Sequence, residues 1–470
     1  MRRRRRMCEE PTLERVRDQA IRARALARAV VAAALLFGAC GARSELDVIP
    51  PSDAIERCDG LDDDGDARID EGLPLEIVSE PIRVRTDEGS AGACARCRWA
   101  LSALAPTREG MVLLARLYDE GEPDFNLMRR RLEARGRPLE RWDLSLGEQS
   151  SDWFPSISRS RDADGRVDGI ALGTSTREGA ESLRPMITIL DADGVRVAGP
   201  TPIPIARAVR RWGTPQITRL EDGAFLSALE CSSDVCLAAI DEDGTTRESW
   251  ALGDRSALLP PSGVLGISAP VLAHHAGLVG VATIQVHAGP PVRPELLFFL
   301  LAPDGATLRE SRVELPLPDF EHVPIDTLRI VAGDEGFLVL FLRRDSCPVD
   351  GRRGRWIARF DRDGVLVEGP TISEPEWCFF GADLALEPRA GGGWWLSGTR
   401  KLERTEGIDG QESFVAELDA RGSLRWASAL DVWLHSLVEL DDGSVVAAVS
   451  TRWEHDQPNA IDIVRLRCAP

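Results

Sequence analysis

The chain has almost no lysine: Lys401 stands alone among 57 basic residues, the other 56 being arginine. That bias reads as a GC-rich coding sequence, so a single arginine carries little functional information. Histidine occurs only six times in 470 residues, which leaves few candidates for metal ligation or acid–base chemistry. No GxSxG, HExxH, P-loop or Rossmann fingerprint is present, so none of the motif-borne hydrolase, zinc-protease or nucleotide-binding chemistries is indicated. No paired CxxC units occur, only Cys94-Ala95-Arg96-Cys97, and a cysteine zinc site is disfavoured. Long apolar runs are missing as well. The run from Ala29 to Ala39 has eleven residues, against the roughly 20 that a membrane-spanning helix requires.

The composition is otherwise globular, 43% apolar and 28% charged, with 42 Gly and 30 Pro. Ten arginines and four acids precede Ala39, leaving 47 basic and 72 acidic residues beyond it. A body that acidic repels phosphate backbones, which argues against a nucleic-acid partner.

The arginines up to Arg28 followed by the short apolar run have the layout of a signal peptide. The run ends in Leu36-Phe37-Gly38-Ala39-Cys40, which resembles a bacterial lipobox, with Phe37 where that pattern prefers leucine. The resemblance implies cleavage before Cys40, lipidation of Cys40, and an exported protein anchored to the cell envelope, by expectation at the outer membrane. A cleaved signal with a chance cysteine is the alternative. Residues 41–57 are polar, contain Pro50-Pro51 and read as a tether. The expected division is thus 1–39 signal peptide, 40–57 tether, 58–72 acidic loop and 73–470 a folded body.

The acidic loop runs Cys58-Asp59-Gly60-Leu61-Asp62-Asp63-Asp64-Gly65-Asp66-Ala67-Arg68-Ile69-Asp70-Glu71-Gly72. It resembles the MopE-type metal-binding motif of exported myxobacterial proteins, over these 15 residues only. Gly65 stands in place of that motif's second cysteine and Ala67 in place of a glycine. Physically, Asp62, Asp64 and Asp66 alternate, so a tight turn can bring three carboxylates inward. Asp70 or Glu71 could then complete the six to eight oxygens that Ca²⁺ takes. A structural Ca²⁺ is the expectation; a solvated acidic linker is the alternative.

From Leu73 onward the chain is periodic. One set of turns reads Arg108-Glu109-Gly110, Asp164-Gly165, Glu221-Asp222-Gly223, Ala276-Gly277, Asp334-Glu335-Gly336, Gly391-Gly392-Gly393 and Asp441-Asp442-Gly443, about 55 residues apart. Each precedes a β-rich run such as Met111 to Tyr118 or Trp394 to Thr399. A second set falls between them at Gly136, Gly194, Gly244, Gly305, Gly364 and Gly422, about 57 apart. Two hairpin turns per period make four strands per unit, the pattern of a propeller blade. Apolar residues cluster in runs rather than at 3.6 spacing, which disfavours helical repeats.

The second set has one turn fewer than the first. The last unit therefore lacks an outer strand after Ile461 to Arg467, and the segment Leu75 to Arg85 is a spare strand available to supply it. Pro81 is tolerable there because an outermost strand has an unpaired edge. The expectation is an all-β fold: a seven-bladed β-propeller of four-stranded antiparallel blades, closed by an N-terminal outer strand. Segments such as Phe414 to Trp426 resemble bacterial propeller repeats of the SBBP and PQQ-like type. That resemblance implies fold and not chemistry.

Eight cysteines remain after Cys8 and Cys40 are set aside, an even number that suits disulfides in an exported chain. Blade topology predicts the pairs Cys231–Cys236, Cys347–Cys378, Cys94–Cys97 and Cys58–Cys468, the last locking the closure. Redox chemistry at Cys94–Cys97 is the alternative for that pair. Adjacent His274 and His275 point to opposite faces of a strand and cannot share a metal. His287, His322, His435 and His455 are isolated. Trp394-Trp395 could form a sugar platform but begin a second strand, where core packing is commoner. No catalytic residue is singled out. The expected function is a lipid-anchored, non-enzymatic binding or scaffold propeller facing an envelope protein or glycan. The rivals are an exported propeller enzyme (a polysaccharide hydrolase or lyase, or a quinoprotein-like catalyst) and a purely structural envelope component.

Overall fold

In the computed structural model, seven antiparallel sheets follow one another along the chain. The described residues are 75–77, 79–85, 97–119, 125–143, 148–149, 156–161, 167–178, 182–205, 214–231, 234–254 and 264–287. They continue with 293–315, 327–333, 335–342, 355–373, 378–389, 393–401, 411–430, 432–440, 444–450 and 460–468. Blades 1 to 6 run in sequence order from the innermost strand outward. Their inner strands are Cys97–Pro106, Ser156–Arg161, Gln216–Arg219, the pair Val264–Ile267 and Val271–His275, Thr327–Gly333 and Cys378–Pro388. Blade 7 starts with Trp433–Glu439, Val445–Ser450 and Ala460–Cys468.

The closing strand comes from the other end of the body. Leu75–Ile77 pairs antiparallel with Ala460–Cys468, Leu75 facing Cys468, and Ile82–Arg85 pairs with the same strand, Val84 facing Ile461. Between the two pieces lies Pro81, which lacks an N–H, and the ladder is interrupted there. The Ser79 hydroxyl takes over the role of a strand carbonyl, accepting a hydrogen bond from the Arg465 N–H at 2.9 Å. Arg83 clamps the seam through Asp462, Nε to carboxylate 3.0 Å. Seven blades zipped by an N-terminal strand is the architecture that the turn arithmetic requires.

Blades stack face to face, so the second and third strands are covered on both sides and read as continuous apolar runs. Met111 to Ala115 are essentially unexposed throughout. A hydrophobic cluster fills each junction. Val84, Met111 and Ile463 join blades 7 and 1, and Leu226, Trp250 and Phe299 join blades 3 and 4. Phe298, Phe337 and Phe360 join blades 4 and 5, with Phe298 and Phe360 stacked at 4.1 Å.

The outer turns explain the sequence period. At Asp191 the side-chain carboxylate accepts from the Asp193 and Val195 N–H groups at 3.0 and 2.8 Å, and Gly194 follows at φ 75°. Asp361 and Asp419 do the same in blades 5 and 6. These aspartates organise their own backbone, as the hairpin reading of the Asp-Gly turns expects. The glycine also docks on the preceding blade. A Cβ on Gly194 would lie 2.3 Å from Val112 Cγ2, and one on Gly305 would lie 2.4 Å from Trp250.

The inner strand of blade 4 departs from the simple pattern, splitting at Ser268-Ala269-Pro270. The Ser268 hydroxyl accepts from the Ile284 N–H at 2.9 Å and bridges the gap. Blade 1 has a reduced outer edge, Glu148–Gln149 plus isolated bridges at Asp143 and Pro138.

Candidate functional site

The inner strands converge on the axis and carry an inverted charge balance. They hold Arg98, Arg159, Arg161, Arg219 and Arg329 against Asp383, Glu387 and Glu439, in a chain of net charge −19. Arg159 of blade 2 binds Glu387 of blade 6, Nη1 to Oε2 2.5 Å, with the two side chains 12% and 21% exposed. Blades 2 and 6 are not neighbours, so this ion pair crosses the central channel. Arg159 also donates to the Leu104 carbonyl of blade 1 at 3.4 Å.

Arg329, on the inner strand of blade 5, donates to the Leu328 carbonyl at 2.9 Å. Burial pushes its pKa down, and the Glu387 charge opposes that shift. One carboxylate thus balances two guanidiniums. On blade 7, His435 Nε2 meets the Ser450 hydroxyl at 2.9 Å, while its Nδ1 is buried with no partner among the described residues. Desolvation lowers its pKa to about 4, so the ring is neutral at pH 7. The Glu439 carboxylate accepts the Trp395 indole N–H at 2.8 Å.

At the turn face, carboxylates and arginines tie the strands of blades 5 and 6 together. Buried Glu417 accepts from Arg389, from Arg425 at 3.4 Å and from the Trp426 indole N–H at 2.9 Å. Arg359 holds Glu335 at 2.7 Å and Glu368 at 2.9 Å. A cavity of about 290 Å³ opens at this face around the first turn of blade 5, walled by His275, Gly333, Phe337, Arg359, Arg389 and Trp394.

The two adjacent tryptophans part company. Trp395 is 4% exposed and packs edge-on to Trp426 in the junction of blades 6 and 7, whereas Trp394 lines the cavity. His274 and His275 also diverge, as strand alternation demands. Burial lowers the His274 pKa against the pull of Glu221, and His275 faces the cavity.

Among the described cysteines, Cys231 and Cys236 form the expected disulfide across the second hairpin of blade 3. Cys378 begins the inner strand of blade 6 and Cys468 ends the third strand of blade 7, but their side chains, with Cys40, Cys58, Cys94, Cys97 and Cys347, lie outside the described residues. Asp62, Asp64, Asp66, Asp70, Glu71, His322 and His455 lie outside them too, as does the His287 side chain. Among the described residues, no three His, Cys, Asp or Glu gather as a metal site, and no helix is long and apolar enough to cross a membrane.

The channel trio of Arg159, Arg329 and Glu387 was not found by motif reading. Its one sequence signal is the recurrence of arginine on the first strand of units whose body is acidic. Glu417 had a clearer one, a charge inside the apolar run Phe414-Val415-Ala416-Glu417-Leu418 that must find partners on burial.

No family model and no curated protein matches the chain. Solved structures resemble it in fold at low identity. An α-L-arabinanase of Penicillium chrysogenum is 10% identical, with TM-score 0.39, over 83% of this chain and 99% of its own. A subtype N10 neuraminidase-like protein of A/little yellow-shouldered bat/Guatemala/060/2010 is 10% identical, with TM-score 0.36, over 80% and 99%. Prolyl oligopeptidase B of Galerina marginata is 14% identical, with TM-scores of 0.35 and 0.36 in two structures, over 76–77% of this chain and 47% of its own. Values this low transfer no substrate or mechanism.

Proposed function

We propose that this chain is an exported, lipid-anchored envelope protein whose seven-bladed propeller is a non-catalytic binding scaffold. The observation that carries the reading is the ion pair across the channel. Polysaccharide hydrolysis needs two carboxylates roughly 5–9.5 Å apart, one to protonate and one to attack or activate water. Here Glu387 is held by Arg159 and Glu439 by the Trp395 N–H. Both are engaged in holding blades together.

The lipobox-like segment ending at Cys40 supplies the anchor, with the membrane as partner through the acyl chains. The loop Asp62, Asp64 and Asp66, closed by Asp70 or Glu71, supplies a structural Ca²⁺ site beside the tether. An envelope protein or glycan is the partner class. The rival reading, an exported polysaccharide hydrolase or lyase, draws on His435, which is neutral at pH 7 as a general base must be.

Expression of the full chain in an exporting bacterium fed radiolabelled palmitate tests the anchor. The protein is expected in the membrane fraction carrying label, and Cys40→Ala is expected to release it unlabelled. Wild-type protein free of label, or cytosolic, would overturn the reading.

A further inference from the structure

We infer that the 290 Å³ cavity at the turn face of blades 4 to 6 is a binding site for a neutral saccharide unit. The inference rests on the binding-scaffold reading and names the ligand class of one site on it. Its volume lies at the small end of ligand pockets, which suits a short saccharide.

Three features define the chemistry. First, the wall carries an aromatic ring: Trp394, only partly buried, offers the surface on which the C–H face of a pyranose packs, beside Phe337 and Phe360, which are themselves buried in the junction of blades 4 and 5. Second, the charges at the wall are already balanced. Arg359 is shared between Glu335 and Glu368, Arg389 is held by buried Glu417, and Glu335 takes a second guanidinium, Arg421, at 3.8 Å. An anionic or cationic ligand would meet no uncompensated opposite charge there. These planar pairs still have lone pairs and N–H groups for hydroxyls to bridge. Third, the Trp394 indole N–H is buried with no partner among the described residues, a donor that a ligand oxygen at the cavity edge would satisfy.

Gly333 keeps the space open. A Cβ built there meets only Trp394 Cζ2, at an ordinary 3.9 Å, and its φ is not left-handed. A larger side chain at 333 would therefore project into the cavity without backbone strain.

The test is a titration of the full chain in detergent with neutral methyl glycosides of glucose, galactose and mannose, read by tryptophan fluorescence. Methyl glucuronide, inorganic phosphate and indole serve as comparison probes. At least one neutral glycoside is expected to saturate, with Gly333→Leu weakening it about tenfold or more at an unchanged melting temperature. Trp394→Phe, which keeps the ring and loses the N–H, is expected to weaken it severalfold. The inference is overturned if no neutral glycoside saturates up to tens of millimolar, or if Gly333→Leu binds as well as wild type. Tighter binding of glucuronide, phosphate or indole overturns it equally. Should Gly333→Leu lower the melting temperature, Trp394→Phe decides. A membrane-borne, palmitate-labelled protein that ignores all glycosides sinks only this inference, and a cytosolic protein that binds them sinks only the envelope reading.

Discussion

Replacing Glu387 by glutamine removes the single carboxylate that balances two guanidiniums in the channel. The pair with Arg159 is short and mostly enclosed, and Arg329 is desolvated beside it. Breaking one side of a fully buried pair costs about 3–5 kcal/mol because the other charge is left uncompensated. Partial exposure of both side chains brings the expectation for Glu387→Gln to about 2–3 kcal/mol. Arg159→Gln should cost less, because Glu387 would keep Arg329. The double variant should cost less than the sum, with a coupling of about 1–2 kcal/mol. A third change separates the two guanidiniums: Arg329→Met should recover part of the loss in the Glu387→Gln background and none in wild type. Urea unfolding followed by tryptophan fluorescence reads all of these as shifts in midpoint at constant slope. A Glu387→Gln protein within about 0.5 kcal/mol of wild type, or a strictly additive cycle, would refute the bond across the channel.

Other outcomes follow from named contacts. His435 has a folded pKa of about 4 against roughly 6.5 when unfolded. The unfolded chain therefore binds the extra proton between these values, and stability falls as pH drops from 6.5 toward 4. The loss should approach about 3 kcal/mol, and His435→Gln should remove it from the difference between the two pH–stability curves; identical slopes would contradict the burial. Gly194→Ala forces a Cβ to 2.3 Å from Val112 at φ 75° and should cost about 2–4 kcal/mol by chemical denaturation; a neutral change would contradict the docking of that turn. Replacing Cys231 and Cys236 by serine opens a small loop and should cost about 2 kcal/mol, checked by the same urea unfolding. Calorimetry of the full chain with Ca²⁺ should show heat that disappears when Asp62, Asp64 and Asp66 become asparagine; no heat at millimolar ion would remove the metal loop.

The fold was legible because its signals are local and repeat. An Asx-Gly turn is encoded in a few adjacent residues, and Asp191, Asp361 and Asp419 hold their turns by bonds to residues two and four positions on. The missing turn of the last unit then called for the strand that Leu75 to Arg85 provides. The interruption at Pro81 was foreseen as tolerable, but the hydroxyl of Ser79 that bridges it was not, because a stand-in acceptor is visible only once register is set.

The channel was not legible. Arg159 and Glu387 are separated by more than half of the folded body, and no spacing rule links residues joined only by ring closure. The turn-face cavity is assembled from segments on three blades. The sequence weighed core packing against a sugar platform for Trp394-Trp395 as a pair, and only the closed ring parts them, Trp395 into the junction of blades 6 and 7 and Trp394 to the cavity. Among the histidines, the pattern separated His274 from His275, and burial of His435 emerged only with the ring closed around it.

The most direct test of binding without cleavage is the length distribution of envelope polysaccharide after long incubation with the full chain. Size-exclusion chromatography with mass detection should find the polymer co-migrating with the protein and its length distribution unchanged. Shortened chains, new reducing ends or unsaturated termini, lost in an Arg159→Gln or His435→Gln variant, would contradict the account.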